Sequence, residues 1–165
     1  MPNLKFLKNN LFLNFIFILV IFSIDRFSKI YVVEKLKENF DNSLFESKFL
    51  NIYLIWNEGI AFGLMSFDDK TFYNILTIVI ILVTLVVLYI SYKNMGLKRY
   101  ALLCIFAGST GNLYDRIFYN AVPDFIDFHI KEFHWFIFNF ADVFITVGVI
   151  IMIMTELFGT NKEIK

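Results

Sequence analysis

Residues 71–92, TFYNILTIVIILVTLVVLYISY, contain no charged side chain. A bilayer core about 30 Å thick is crossed by about 20 helical residues, and this run is long enough. Strands are far shorter, so its length favours a helix. Three more apolar stretches lie on either side. Residues 9–24 are uncharged and then meet Asp25, Arg26 and Lys29; residues 100–114 end on Asp115 and Arg116; residues 133–155 carry a single acid, Asp142. The stretches at 9–24 and 100–114 reach spanning length only by including the polar residues at their ends, which places those residues at a membrane surface. The pattern predicts an integral membrane protein, mainly α. Its four transmembrane helices fall at approximately 9–31, 71–92, 100–118 and 134–157. No internal repeat, low-complexity tract or linker divides residues 1–165, so one membrane-embedded domain is expected.

Composition agrees. Hydrophobic residues make up 58% of the chain, with 22 phenylalanines, against about 45–50% in soluble domains. A soluble domain of 165 residues could not bury that much apolar surface. A net charge of zero gives a nucleic-acid partner no electrostatic support. The single cysteine, Cys104, excludes an internal disulfide and a cysteine-based metal cluster. Lys5 and Lys8 precede the first apolar run, but Asp25-Arg26 follows it instead of a small-x-small cleavage site, so a retained helix is expected rather than a cleaved leader.

Lysine and arginine near helix ends set orientation. Lys5 and Lys8, then Lys93, Lys98 and Arg99, then Lys162 and Lys165 all fall on one side of a four-helix path. That side is expected to be the cytoplasm, with both termini there. Residues 34–70, with seven acids against four lysines, and residues 119–132 would lie outside. Within the first of these loops, residues 48–56 are rich in aromatic and β-branched side chains, Asn57-Glu58-Gly59 is a turn signal, and residues 62–67 are apolar again. A small β-rich segment over approximately 40–67 is expected on the outer surface.

An acid inside a membrane helix costs about 2.5–3.5 kcal/mol on insertion scales, so Asp142 needs a reason. On a helix beginning near residue 134 it would lie about 10 Å past Trp135 at about 1.5 Å per residue, below the outer surface, sharing a face with Asn139 and Thr146. Asp124 falls just past the third apolar run, on the same outer side, and the short excursion between helices three and four can bring it beside Asp142. Two adjacent carboxylates share a proton, so one can activate a water while the other protonates a carbonyl. Plainer readings also fit. Asp142 could be a helix-packing residue and Asp124 a solvated loop acid. Asp25 and Lys29, at i and i+4, could be a helix-end ion pair worth a few tenths of a kcal/mol. Asn112, Asp115 and Arg116 could be an interfacial network, and Asn57 with Gly59 only a turn. Gly108 and Gly111 permit close helix approach. Other protease chemistries lack their residues. His129 and His134 form no HExxH, Ser28 and Lys29 are adjacent and face apart on a helix, and there is no Gly-x-Ser-x-Gly.

Five segments together resemble the lipoprotein signal peptidases (type II signal peptidases) in order and spacing. They are Asp25-Arg26-Phe27-Ser28-Lys29, Asn57-Glu58-Gly59-Ile60-Ala61-Phe62-Gly63, Ala107-Gly108-Ser109-Thr110-Gly111-Asn112-Leu113-Tyr114-Asp115-Arg116, Val122-Pro123-Asp124-Phe125 and Phe138-Asn139-Phe140-Ala141-Asp142. Departures are Ala107 for a glycine, Ile60 for a small residue and Pro123 for valine. The resemblance implies four transmembrane helices with a small extracytoplasmic β-rich cradle in the bacterial inner membrane. It implies an aspartyl endopeptidase that removes the signal peptide from diacylglyceryl-modified prolipoproteins, cutting immediately before the lipidated cysteine. Asp124 and Asp142 would be the catalytic pair. Asp25, Lys29, Asn57, Gly59, Asn112, Asp115, Arg116 and Asn139 would shape the site or hold substrate. No metal or cofactor is implied. The expected partners are the prolipoprotein substrate and membrane lipid, and the expected state is a monomer. From the residues alone, a small proton-coupled transporter or channel remains an alternative, because intramembrane acids also mark ion pathways. A membrane scaffold without chemistry is a third.

Overall fold

The computed structural model describes residues 11–38, 43–59 and 70–159. The elements run α1 (Leu11–Glu38), β1 (Ser43–Glu46), β2 (Leu50–Asn57), α2 (Lys70–Lys93), α3 (Gly96–Tyr119), β3 (Val122–Ile130), β4 (Phe133–Phe138) and α4 (Phe140–Gly159). Three helices, α1, α2 and α4, are long and apolar enough to cross a membrane. Their outer faces expose large apolar side chains such as Phe15, Leu82, Val86 and Ile150, as a lipid-facing surface requires. The third, α3, is less apolar because it faces protein. It packs against α1, α2 and α4, and Ala101, Leu102, Leu103, Cys104 and Ala107 are buried along it. Ala107, which departs from the family glycine, is fully buried in the core with Ile21 and Cys104.

Close approach of α3 to its neighbours is set by glycine. A Cβ at Gly108 would stand 2.5 Å from the Ala141 carbonyl oxygen, and one at Gly111 would stand 2.5 Å from Asp25 Oδ2. Both are inside contact distance, so the backbones meet where a side chain would separate them.

One end of the bundle holds the start of α1, beside Arg99 and Tyr92, the two-residue connection between α2 and α3, and the end of α4, where Lys98 meets Glu156 at 2.9 Å. Arg99 Nε donates to the Asn94 carbonyl at 2.7 Å, satisfying a group that the turn leaves unpaired. At the other end sits a four-stranded antiparallel sheet in the order β1-β2-β3-β4. Exposed Trp56 and Trp135 stand on it, amphipathic aromatics of the kind that favour a membrane–water interface.

The structure corrects several boundaries. The first helix continues to Glu38 instead of ending near residue 31, so Asp25 and Lys29 lie within it and not at its end. The third begins at Gly96, a turn earlier than residue 100. The fourth begins at Phe140 instead of residue 134, because Phe133–Phe138 is strand β4. Aromatic and β-branched residues suit a half-buried strand, and Asn139 then caps the helix. Asp142 therefore lies in the first turn of α4 and not about 10 Å along it, and Thr146 is exposed outside the site. Residues 122–130, within the outer loop expected over 119–132, form β3 at the middle of the sheet. Pro123 pairs only with Trp56 of β2, since β4 joins from Ile126 onward, so the missing N–H interrupts no second ladder. The expected β-rich segment contains β1 and β2; its residues 40–42 and 60–67, Ile60 among them, lie outside the described residues.

Candidate active site

Where α1, α3, the sheet and the start of α4 converge, two clusters of buried polar side chains lie side by side. The first is ionic. Lys29 Nζ, on α1, uses its three donors on Asp25 Oδ2 at 2.9 Å, Asn112 Oδ1 at 2.8 Å and Asp115 Oδ2 at 2.7 Å. Asp115 also meets Arg26 Nη2 at 2.6 Å, and that guanidinium lies 4.6 Å over the Tyr114 ring. Asp25 and Asp115 are fully buried and Lys29 is 1% exposed. Two carboxylates and two cations balance. Asp25 also reaches beyond this cluster. Its Oδ1 accepts the Ala141 backbone N–H at 3.0 Å, one of the donors that the first turn of a helix leaves unpaired. The ion pair is thus a joint between α1, α3 and α4, not the weak surface pair that its i, i+4 spacing suggests.

The second cluster holds Asp124 and Asp142. Asp124, on β3, accepts Asn57 Nδ2 on Oδ2 at 2.9 Å and Asn139 Nδ2 on Oδ1 at 2.6 Å. Asp142, on α4, accepts Asn112 Nδ2 on Oδ1 at 2.8 Å and the Asn139 backbone N–H on Oδ2 at 3.1 Å. Asn139 Oδ1 in turn accepts the Asp142 N–H at 3.2 Å. This is a capping box: the residue before the helix and the third residue within it satisfy each other's backbone donors. The same Asn139 amide reaches Asp124, so the cap of α4 ties the two carboxylates together.

Each asparagine is oriented by what holds its oxygen. Asn57 Oδ1 accepts the Gly59 N–H at 3.0 Å, an Asx turn. Asn112 Oδ1 faces Lys29, an ammonium that can only donate, and Asn139 Oδ1 faces the Asp142 N–H. With the three oxygens committed, all three NH2 groups point at Asp124 or Asp142. Asn57 and Asp124 meet as diagonal neighbours, since Ile55 pairs with Asp124 and Asn57 with Val122 across β2 and β3, within reach on one sheet face. Arg116, from the last turn of α3, donates from Nη2 to the Gly59 carbonyl at 2.7 Å and so fixes the turn that orients Asn57.

Every site residue named from the sequence is in one of these clusters except Gly59, which contacts Asn57, and Arg116, which contacts Gly59. Arg26 and the Ala141 backbone N–H join them, and sequence reasoning missed both. Arg26 gave no signal beyond its place beside Asp25. The cap did give one: Asn139-Phe140-Ala141-Asp142 has the polar–x–x–acid spacing of a helix start.

Electrostatics separates the clusters. Burial, and after it the Asp142 charge, push the Asp124 carboxyl up to about 6, and the amide hydrogen bonds from Asn57 and Asn139 only partly oppose them. Two adjacent carboxylates held by neutral amides cannot both ionise easily, and they titrate as a coupled pair that can share one proton. That state offers a base for water and an acid for a carbonyl oxygen at once. A cavity of about 600 Å³ opens between α1, α3 and the sheet, lined by Lys29, Glu34, Trp56, Glu58 and Asp115 among others; it touches the ionic cluster, and neither Asp124 nor Asp142 lines it.

Known proteins share this arrangement of chain. The family model described as signal peptidase (SPase) II matches residues 17–158. A lipoprotein signal peptidase of Pelagibacter ubique (strain HTCC1062) is 47% identical over 154 residues, 93% of each chain. One from Anaplasma phagocytophilum (strain HZ) is 37% identical over 142 residues, 84% of this chain and 87% of that one. A bacterial membrane enzyme solved by the in meso method at 2.3 Å superposes with a TM-score of 0.75 at 30% identity, covering 92% of each chain. This decides for the peptidase over the transporter and the scaffold: the chain belongs to the signal peptidase II family of aspartic membrane peptidases, the lipoprotein signal peptidases.

Proposed function

We propose that this chain removes the signal peptide from diacylglyceryl-modified prolipoproteins, cutting immediately before the lipidated cysteine, with Asp124 and Asp142 as the catalytic pair. The observation that carries the reading is the pair itself: buried Asp124 and part-buried Asp142, joined through Asn139 and held by amides instead of cations. The ionised member takes a proton from water as it attacks the scissile carbonyl, and the protonated member gives its proton to the carbonyl oxygen. Collapse of the tetrahedral intermediate returns a proton to the departing amine. No assignment of the first proton to one aspartate is needed, because the two titrate as a unit.

The other residues support these two. Asn57, Asn112 and Asn139 position the carboxylates. Asp25, Lys29 and Asp115 hold the helices, and Arg116 with Gly59 holds the turn that carries Asn57. Lysine and arginine gather at the opposite end of the bundle, at Lys93, Lys98 and Arg99. By the positive-inside rule that end is cytoplasmic, and the site faces the extracytoplasmic surface of the inner membrane. Exposed aromatics on the sheet suit the interface there. A substrate can then keep its acyl chains in the bilayer while its peptide reaches the aspartates.

The test is cleavage of a synthetic prolipoprotein peptide in detergent, with and without its diacylglyceryl group, read by mass spectrometry. The expected product begins at the lipidated cysteine and forms only from the lipidated peptide. Equal cleavage of both peptides, or a cut elsewhere, would contradict the substrate assignment.

A further inference from the structure

A third polar cluster lies on the sheet, outside the machinery described so far. Asp127 on β3 is fully buried, yet among the described residues no lysine or arginine pairs with it. Its partners are Asn51 Nδ2 from β2 at 3.3 Å, and His134 Nδ1 from β4 at 2.8 Å and 3.0 Å to its two oxygens. His129 Nδ1 stands 3.7 Å away. His129 and His134 are directly opposed across β3 and β4, and their rings stack with centroids 5.0 Å apart. His129 is 9% exposed, and its Nδ1 is buried with no hydrogen-bond partner.

Two imidazoles and one carboxylate are a donor set for a borderline transition metal, and each residue offers a ligand atom within 4.8 Å of the others. Ligands on a tetrahedral zinc, at about 2.0–2.1 Å from the metal, lie about 3.4 Å from one another. The observed separations of 2.8 Å and 3.7 Å bracket that value. The His134 ring, half exposed, can move to complete the geometry. The Asn51 amide on Asp127 is the kind of outer contact that fixes a ligating carboxylate. A cation would supply the charge that buried Asp127 lacks and the partner that His129 Nδ1 lacks.

We propose that Asp127, His129 and His134 form a structural site for one divalent ion of the zinc class, which clamps β4 to β3. It takes no part in the cleavage. The two-residue alternation of a strand turns Asp127 to the face of β3 opposite Asp124. The ion would act by holding rigid the hairpin whose open end carries Asp124 on β3 and leads from β4 into Asn139.

The test uses untagged full-length protein in detergent, stripped with a chelator, given zinc, and dialysed against metal-free buffer. Metal content and melting temperature are read for the wild type, for His134→Ala and for Asp142→Asn. His134 is half exposed, so its replacement leaves the fold intact. The proposal expects about one retained zinc per wild-type chain and a melting temperature raised by zinc. Asp142→Asn should behave identically. In His134→Ala the affinity should fall by at least about 100-fold, the upper end of what losing an outer contact costs, and the zinc-dependent rise should vanish. X-ray absorption should show two imidazole nitrogens among the ligands. No retained zinc, or equal retention by the wild type and His134→Ala as for an adventitious ion only, would overturn it. Loss of binding in Asp142→Asn alone would place the ion at the catalytic pair and overturn it as well.

Discussion

The two carboxylate clusters at the head of the bundle use the same side chain for opposite ends. Asp25 and Asp115 are fully buried, and Lys29 and Arg26 balance them. Asp124 and Asp142 lie one asparagine away and receive only amide donors. Removing one partner from a buried ion pair leaves an uncompensated charge, so each member of the first cluster holds the others in place. The second lacks a counter-cation and is left with a proton to exchange. Lys29 borders both clusters, but it reaches the aspartic pair through Asn112, whose amide turns a cation on one side into a neutral donor on the other.

Substitutions should therefore fall into two groups. Lys29→Met should give the largest loss of folded protein, on the order of 3–5 kcal/mol, because Asp25 and Asp115 would keep only Arg26 between them; thermal unfolding in detergent measures it. Asn112→Leu severs the link between clusters. It removes one donor from Asp142 and one acceptor from Lys29, each worth about 1–3 kcal/mol when left unsatisfied, and should slow cleavage by about 10–100-fold while the protein stays folded. Asn139 allows a finer cut. Asn139→Ala loses the cap, about 1 kcal/mol, as well as the contact with Asp124. Asn139→Ser keeps the cap and loses only the contact, so its melting temperature should stay near wild type while cleavage falls. The smallest effect is a titration. In Asp142→Asn the like charge beside Asp124 is gone, so the Asp124 pKa should drop from about 6. It should stay above the ordinary 3.8 because burial is the larger cause. Carboxyl-carbon NMR in micelles would follow it, and an unchanged or higher value would break the pairing.

Sequence carried the helices wherever apolar length was decisive, as in the uncharged run that became α2. It failed at residues 133–138. A strand and the helix after it formed one continuous apolar string, and hydropathy alone does not see a change of period within a few aromatics. The Asn139–Asp142 cap was the signal that could have divided them. Asp124 was found by residue type and position, but its place on a strand was not, because a nine-residue strand containing Pro123 reads as a loop until its neighbours are known. The spacing of Asp25 and Lys29 was visible, but their burial was not: it depends on Gly111, 86 residues from Asp25 in the chain, letting α3 close upon them. The asparagines were named one by one. Their common orientation belongs to the hydrogen-bond network, and no single position reveals it.

The most direct test sets Asp142→Asn against Asp115→Asn, with cleavage of lipidated prolipoprotein and melting temperature measured on each. The account predicts that Asp142→Asn melts near wild type and loses cleavage by about 10²–10⁴-fold, the range for removing a general acid or base, whereas Asp115→Asn shows its main loss in melting temperature. Cleavage by Asp142→Asn at the wild-type rate would contradict it.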